Sequence, residues 1–242
     1  MSHATIEFSR PGTPLSERTV GELVTERPGR SRIFQANKID FCCQGGRTLK
    51  EACERKGVDT DVIVAELERE ASGKPVPQDN PAELPPSQLC DYIVERHHRY
   101  LIDELPRLHA MAARVAQVHG GHTASLVDIY QTFHGMAQEL SNHMQKEERI
   151  LFPTIKAMSN GKSGSGLVDG SIRMMMQEHD EAGAALSRIR ELTNDFQPPP
   201  EACNTYRALF AGLEELEEDL HRHIHLENAV LFPAARKLAA VA

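Results

Sequence analysis

Apolar residues recur at helical spacing in most of the chain, and the alternation of β-branched residues expected of strands is scarce. Residues 126–140 show the pattern well, with Leu126, Ile129, Tyr130, Phe133, Ala137 and Leu140 falling on one face of a helix. Breakers cut the C-terminal two thirds into four such stretches. The first spans about 87–119 and stops at Gly120-Gly121; the second spans about 123–159 and stops in NGKSGSG. The third spans about 167–195 and stops before Pro198-Pro199-Pro200; the fourth spans about 201–239. Four long helices with short connections predict an all-α, up-down-up-down four-helix bundle.

Upstream, shorter helical patterns cover 16–25, 48–56 and 59–71, with IDFCCQGG (39–46) between the first two. The paired glycines of that segment predict a turn beside two thiols. Residues 73–86 are rich in proline and cannot continue a helix. The expected organisation is therefore a small helical, cysteine-containing N-terminal domain at 1–72, a linker at 73–86 and the bundle at 87–242.

Composition narrows the functional classes. A net charge of -8 and an aromatic content of 5% with no Trp disfavour nucleic-acid binding, which draws on clustered cations and stacking rings. No apolar run approaches the roughly 20 residues of a membrane span. The N-terminal segment lacks the basic-then-apolar order of a secretory signal, so the expected compartment is the cytoplasm. Five scattered cysteines with no CxxC pair suit free thiols in a reducing compartment.

The outlier is histidine, with 12 residues. His143-Met-Gln-Lys-Glu147-Glu-Arg-Ile-Leu151-Phe152-Pro153 has the same spacing as His223-Ile-His-Leu-Glu227-Asn-Ala-Val-Leu231-Phe232-Pro233. Residues four apart share a helix face, so each copy presents an imidazole beside a carboxylate, and the leucine eight positions on turns that face inward. A lone His-x-x-x-Glu is usually a solvated pair; two copies with one tail are not readily explained that way. Helix heights then identify further candidates. His143 stands about 22 residues, or roughly 33 Å, from the first turn, and the matching height on the preceding helix is at 98–100, where His98 stands. Counting from the turn near 163 places the matching height of the third helix at about 179–183, where His179 stands.

Four imidazoles (His98, His143, His179, His223) and two carboxylates (Glu147, Glu227) suit two metal ions sharing bridging carboxylates. Positions remain for an oxo or hydroxo bridge and a small ligand. Mixed N/O donors without thiolate disfavour structural zinc; the set suits two iron ions, and the same ligand types also admit manganese or a mixed-metal pair. His119, about 21 residues or roughly 31 Å from His98 on the same helix, could join the set only if that helix breaks, as near Pro106, and is left out; His97, His109, His122, His134, His221 and His225 are expected at the surface or behind the ligands. Glu178 is a candidate to orient a ligand.

IDFCCQGG, the segment from His98 to ELP, LSNHMQKEERILFP, EHDEAG, PPPEAC and HIHLENAVLFP together resemble the hemerythrin-like repair-of-iron-centres di-iron proteins, over nearly the whole chain. The resemblance implies a non-haem di-iron centre on His98, His143, His179 and His223 with Glu147 and Glu227 as bridges. It also implies a role in nitrosative or oxidative stress, repairing damaged iron–sulfur clusters by iron donation or by binding or reducing nitric oxide. The partners implied are nitric oxide or another diatomic ligand and apo or damaged iron–sulfur proteins, with the chain a monomer or homodimer. Cys42 and Cys43 match the family's cysteine-bearing domain and are candidates to relay iron. Gly183 stands four residues after His179, where oxygen-carrying hemerythrins have a further histidine. That departure favours small-ligand chemistry or iron release over oxygen storage. Binding or sensing of nitric oxide or oxygen without turnover is the alternative.

Overall fold

The computed structural model describes residues 12–73, 80–162 and 165–241. Residues 74–79 of the expected linker and 163–164 of the GKSGSG loop lie outside the described residues. Among the described residues the fold is all-α, with only an isolated antiparallel bridge between Thr19 and Thr48 in place of strands. Packing divides the chain into two compact units. One comprises residues up to 90 with 155–168 and 221–242; the other comprises 91–154 and 169–220.

The first unit contains α1 (Val20–Glu26), α2 (Ser31–Ala36), α3 (Leu49–Lys56) and α4 (Thr60–Gly73). Thr19 caps α1 by accepting the Glu22 N–H at 3.2 Å. Thr48 and Glu51 form a reciprocal capping box on α3, which Gly57 closes in the left-handed conformation at φ 67°. Val20, Leu23, Phe34, Phe41, Leu49, Cys53, Ile63, Leu67 and Ile224 make its core. The apolar pattern does not announce α2, a six-residue helix that buries only Ser31 and Phe34 and has little periodicity to display.

Four helical runs follow. The first joins α5 (Pro86–Ile93), a π-helical turn π1 (Val94–His98) and α6 (Arg99–His119). The second joins α7 (Ser125–Lys146), π2 (Glu147–Leu151) and α8 (Phe152–Ser159). The third is α9 (Ser165–Leu192); the fourth joins α10 (Asn204–His225), π3 (Leu226–Leu231) and α11 (Phe232–Val241). Within the second unit all four runs contribute to one core that includes Leu101, Leu105, Leu108, Phe133, Leu140, Leu186, Leu213 and Leu216. A helical bundle is therefore what the periodicity specifies. Burying each such side chain stabilises by about 1.5–3 kcal/mol before entropy is counted.

The π turns were not foreseen, though two have a cause in the sequence. Pro153 and Pro233 have no N–H to donate to the carbonyls four residues earlier, those of Arg149 and Ala229, which lie inside π2 and π3. A wider turn shifts the ladder where an α-helical bond could not form. The third run also ends before its prolines. Asn194, Asp195 and Phe196 take φ values of 51°, 58° and 56°, which stop α9 at Leu192. Arg190 holds this bend by bonding Asp195 at 3.2 Å and lying 4.7 Å from the centre of the Phe196 ring.

Candidate metal centre

In the second unit, four of the residues singled out from spacing lie together. Glu147 opens π2 and is fully buried, as is His98 at the end of π1. The Oε2 atom of Glu147 stands 3.3 Å from His98 Nε2 and 3.5 Å from His143 Nε2. His179, reaching in from α9, has its Nε2 3.2 Å from that of His143. Two nitrogens bound to one ion at about 2.0–2.1 Å stand about 2.9–3.4 Å apart at octahedral to tetrahedral angles. The observed spacing of the donors therefore fits metal ligation.

Outer carboxylates orient the rings. His98 Nδ1 lies 2.8 Å from Glu148 Oε1, and His143 Nδ1 lies 2.7 Å from Glu178 Oε2. Lys146 also donates to Glu178. Burial pushes the Glu178 carboxyl up, but the hydrogen bonds from Lys146 and His143 outweigh it, and the group sits below the ordinary carboxylate range. An ionised acceptor at Nδ1 keeps the proton there and leaves the Nε2 lone pair directed inward. Glu178 thus orients His143 rather than its neighbour His179. Glu148, which the sequence reading did not single out, does the same for His98, whose ring stacks on Phe152 at 5.7 Å. A cavity of about 230 Å³ opens between α7 and α9 and is lined by His143, His179, Lys146 and Glu178. His97 is buried rather than superficial and bonds Asp219 at 3.0 Å. His119 sits at the far end of α6 with Cys203 Sγ 3.4 Å from its Nε2.

In the first unit, His223 Nε2 lies 3.2 Å from Glu227 Oε1, both buried. Between them in sequence, His225 is also buried, 3.2 Å from Thr25 Oγ1 and 3.4 Å from the Phe41 carbonyl. Burial lowers its pKa to about 4 against the opposing pull of that carbonyl, so the ring is neutral. Asn228 donates to the Cys42 carbonyl at 3.2 Å. Residues on either side of Glu227 therefore hold the backbone of the IDFCCQGG turn.

In that turn, Asp40 Oδ1 accepts the backbone N–H groups of Cys42 and Cys43 at 3.0 and 2.9 Å, with Cys42 Sγ at 3.3 Å. The two sulfurs are 3.7 Å apart. A hydrogen bond with the Cys43 thiol, then burial and the nearby charges of Cys43 and Asp40, push the Cys42 thiol well above its ordinary pKa. The turn needs glycine: a Cβ on Gly45 would stand 2.5 Å from the Phe41 carbonyl oxygen. Among the described residues no disulfide forms, and no helix is long and apolar enough to cross a membrane.

The chain is similar to known proteins over most of its length. Residues 91–235 match the Hemerythrin HHE cation binding domain, and residues 16–71 match ScdA_N, a Domain of Unknown function (DUF542). The chain is 40% identical over 219 residues, 90% of its length, to the "Iron-sulfur cluster repair protein YtfE" of Edwardsiella ictaluri (strain 93-146), covering 96% of that relative. The proteins of the same name from Escherichia coli O1:K1 / APEC and from Escherichia fergusonii match to the same extent. With a cation-binding helical bundle preceded by an ScdA_N segment, and this identity over nearly its full length, the chain belongs to the hemerythrin-like repair-of-iron-centres family.

Proposed function

We propose that the chain repairs damaged iron–sulfur clusters under nitrosative or oxidative stress, using a di-iron centre held by His98, His143, Glu147, His179, His223 and Glu227. The relatives' shared name supports the repair role. The observation that carries the metal reading is one buried carboxylate oxygen, Glu147 Oε2, faced by imidazoles from two helical runs. Both of those rings are fixed from behind by acidic groups. His223 and Glu227, on the second copy of the motif, supply the equivalent pair.

When bound, two irons in such an N/O environment offer exchangeable positions for nitric oxide or another diatomic ligand and a source of iron for apo-clusters. The chain's own residues set the terms. Glu148 and Glu178 hold the imidazole tautomers, and the cavity beside His143 and His179 admits a small molecule. Cys42 and Cys43, whose backbone N–H groups both donate to Asp40, are the thiols that would receive released iron. Residues 1–72 act as the thiol-bearing module, and 87–242 as the iron-bearing bundle, joined by 73–86.

Metal analysis with Mössbauer spectroscopy, with and without nitric oxide, tests the centre. Two antiferromagnetically coupled irons per chain are expected, and one iron or none overturns the proposal. Removing the metal is expected to lower Tm, because a ligand at about a thousandfold excess over Kd stabilises the native state by about 4 kcal/mol. A Cys42→Ser/Cys43→Ser variant should keep its iron and lose repair of apo-clusters; full repair would remove the thiols from the scheme.

A further inference from the structure

The two half-buried histidines across the α6–α7 contact have no part in the centre described above. His109 on α6 and His134 on α7 place Nε2 of the first 2.8 Å from Nδ1 of the second. The Tyr130 ring packs against both imidazoles, at 5.3 and 6.0 Å between ring centres. We propose that His109 and His134 form a separate bis-imidazole site for an exchangeable first-row divalent cation.

The two nitrogens are near enough to share one ion once the rings turn. Two M–N bonds of about 2.0–2.1 Å hold their nitrogens about 2.9–3.4 Å apart; with ring centres 5.0 Å apart the facing nitrogens meet nearly head-on, so the half-buried imidazoles must swing as well as part to converge on the ion. Without metal, one proton sits between the facing nitrogens. Moving it to the outer nitrogen of the same ring frees both facing lone pairs with no change in net charge. Both residues line an open groove of about 730 Å³ that also carries Gln138, Ser141, Asn142 and Gln145. Among the described residues no third histidine, cysteine or carboxylate joins the pair to make a fuller ligand set. Water from the groove completes the coordination, and the ion exchanges readily. Glu148, the carboxylate behind His98, lines the same groove, so a captured ion lies in the same channel as an acidic group next to the proposed centre.

The test uses full-length, iron-loaded protein titrated with Ni2+, which binds such donors more tightly than Fe2+. Bound nickel and retained iron are both counted. Wild type should take up one more equivalent of nickel than His109→Ala, with iron unchanged in each. His134→Asn keeps a polar group beside His109 but removes the second imidazole, so it should bind that equivalent at least tenfold more weakly. It also serves as the test if His109→Ala misfolds. A folded variant that still takes up that additional equivalent of nickel, with an affinity within twofold of wild type, would overturn the proposal and leave a hydrogen-bonded pair that only packs on Tyr130. Because iron is counted separately, that failure would not bear on the di-iron reading, nor would an iron-free protein bear on this one.

Discussion

Glu178→Gln is the sharpest probe of how the centre is oriented. The substitution keeps the shape of the side chain and an oxygen within reach of His143 Nδ1, now 2.7 Å from the carboxylate, but removes the negative charge that fixes the proton there. Loss of a carboxylate behind a ligating histidine typically weakens metal binding by about 10–100-fold, or about 1.4–2.7 kcal/mol at about 1.36 kcal/mol per decade. The Glu178 side chain is 25% exposed and also bonds Lys146, so solvent screens part of the effect and the lower half of that range applies. Iron retention against a graded chelator, at fixed pH, should therefore fall by about 10–30-fold. Lys146→Met is the control. It removes the partly exposed ammonium but leaves the Glu178–His143 bond, and a pair of that exposure contributes little, about 0–1 kcal/mol. Circular dichroism, and the Tm of the metal-free protein, should be nearly unchanged in both. Wild-type retention in Glu178→Gln, or an equal loss in both variants, would show that His143 is not a ligand held by this carboxylate.

Two further substitutions test the fold that positions these groups. Gly45→Ala places a Cβ 2.5 Å from the Phe41 carbonyl oxygen, with backbone on both sides of the contact. It should cost about 1–3 kcal/mol in urea denaturation and speed alkylation of Cys42; unchanged stability would mean the turn relaxes freely. Arg190→Met leaves the Glu217 carboxylate, 3% exposed, without its guanidinium. Removing one partner of a buried pair costs about 3–5 kcal/mol, and the lower end is expected because Arg190 is 24% exposed. Adding Glu217→Leu should recover part of the loss, whereas an additive second loss would contradict the assignment.

The meeting of His98, His143, Glu147 and His179 was legible because regular helices convert residue counts into heights, and the glycine turns supplied the origin for the count. The same count could not find Glu148. It follows Glu147 inside π2, a turn wider than the regular α-helix on which heights are counted, and its partner His98 lies 50 residues away. His97 and His225 were expected behind the ligands or at the surface, and their burial became visible only with their partners, Asp219 and the Phe41 carbonyl, 122 and 184 residues away. No local pattern encodes such pairings. Helix α2 and the left-handed bend at Asn194, Asp195 and Phe196 escaped for the opposite reason: both are too short for periodicity to register.

The π turns connect several of these residues. His98 closes π1, Glu147 opens π2 and Glu227 lies in π3, so one of the proposed ligands belongs to each. In two of them the proline of the Leu-Phe-Pro tail accounts for the turn. The tail is thus more than a marker of the repeat: its missing N–H breaks the α-helical ladder within the turn that carries the carboxylate. Four-residue spacing puts an imidazole and a carboxylate on one face, and the proline-bearing tail then widens the helix where the carboxylate is carried. π1 has no proline at the corresponding distance, and nothing in its sequence explains it. Its effect is nonetheless plain, since it ends on His98, whose Nδ1 reaches Glu148 while its Nε2 faces Glu147.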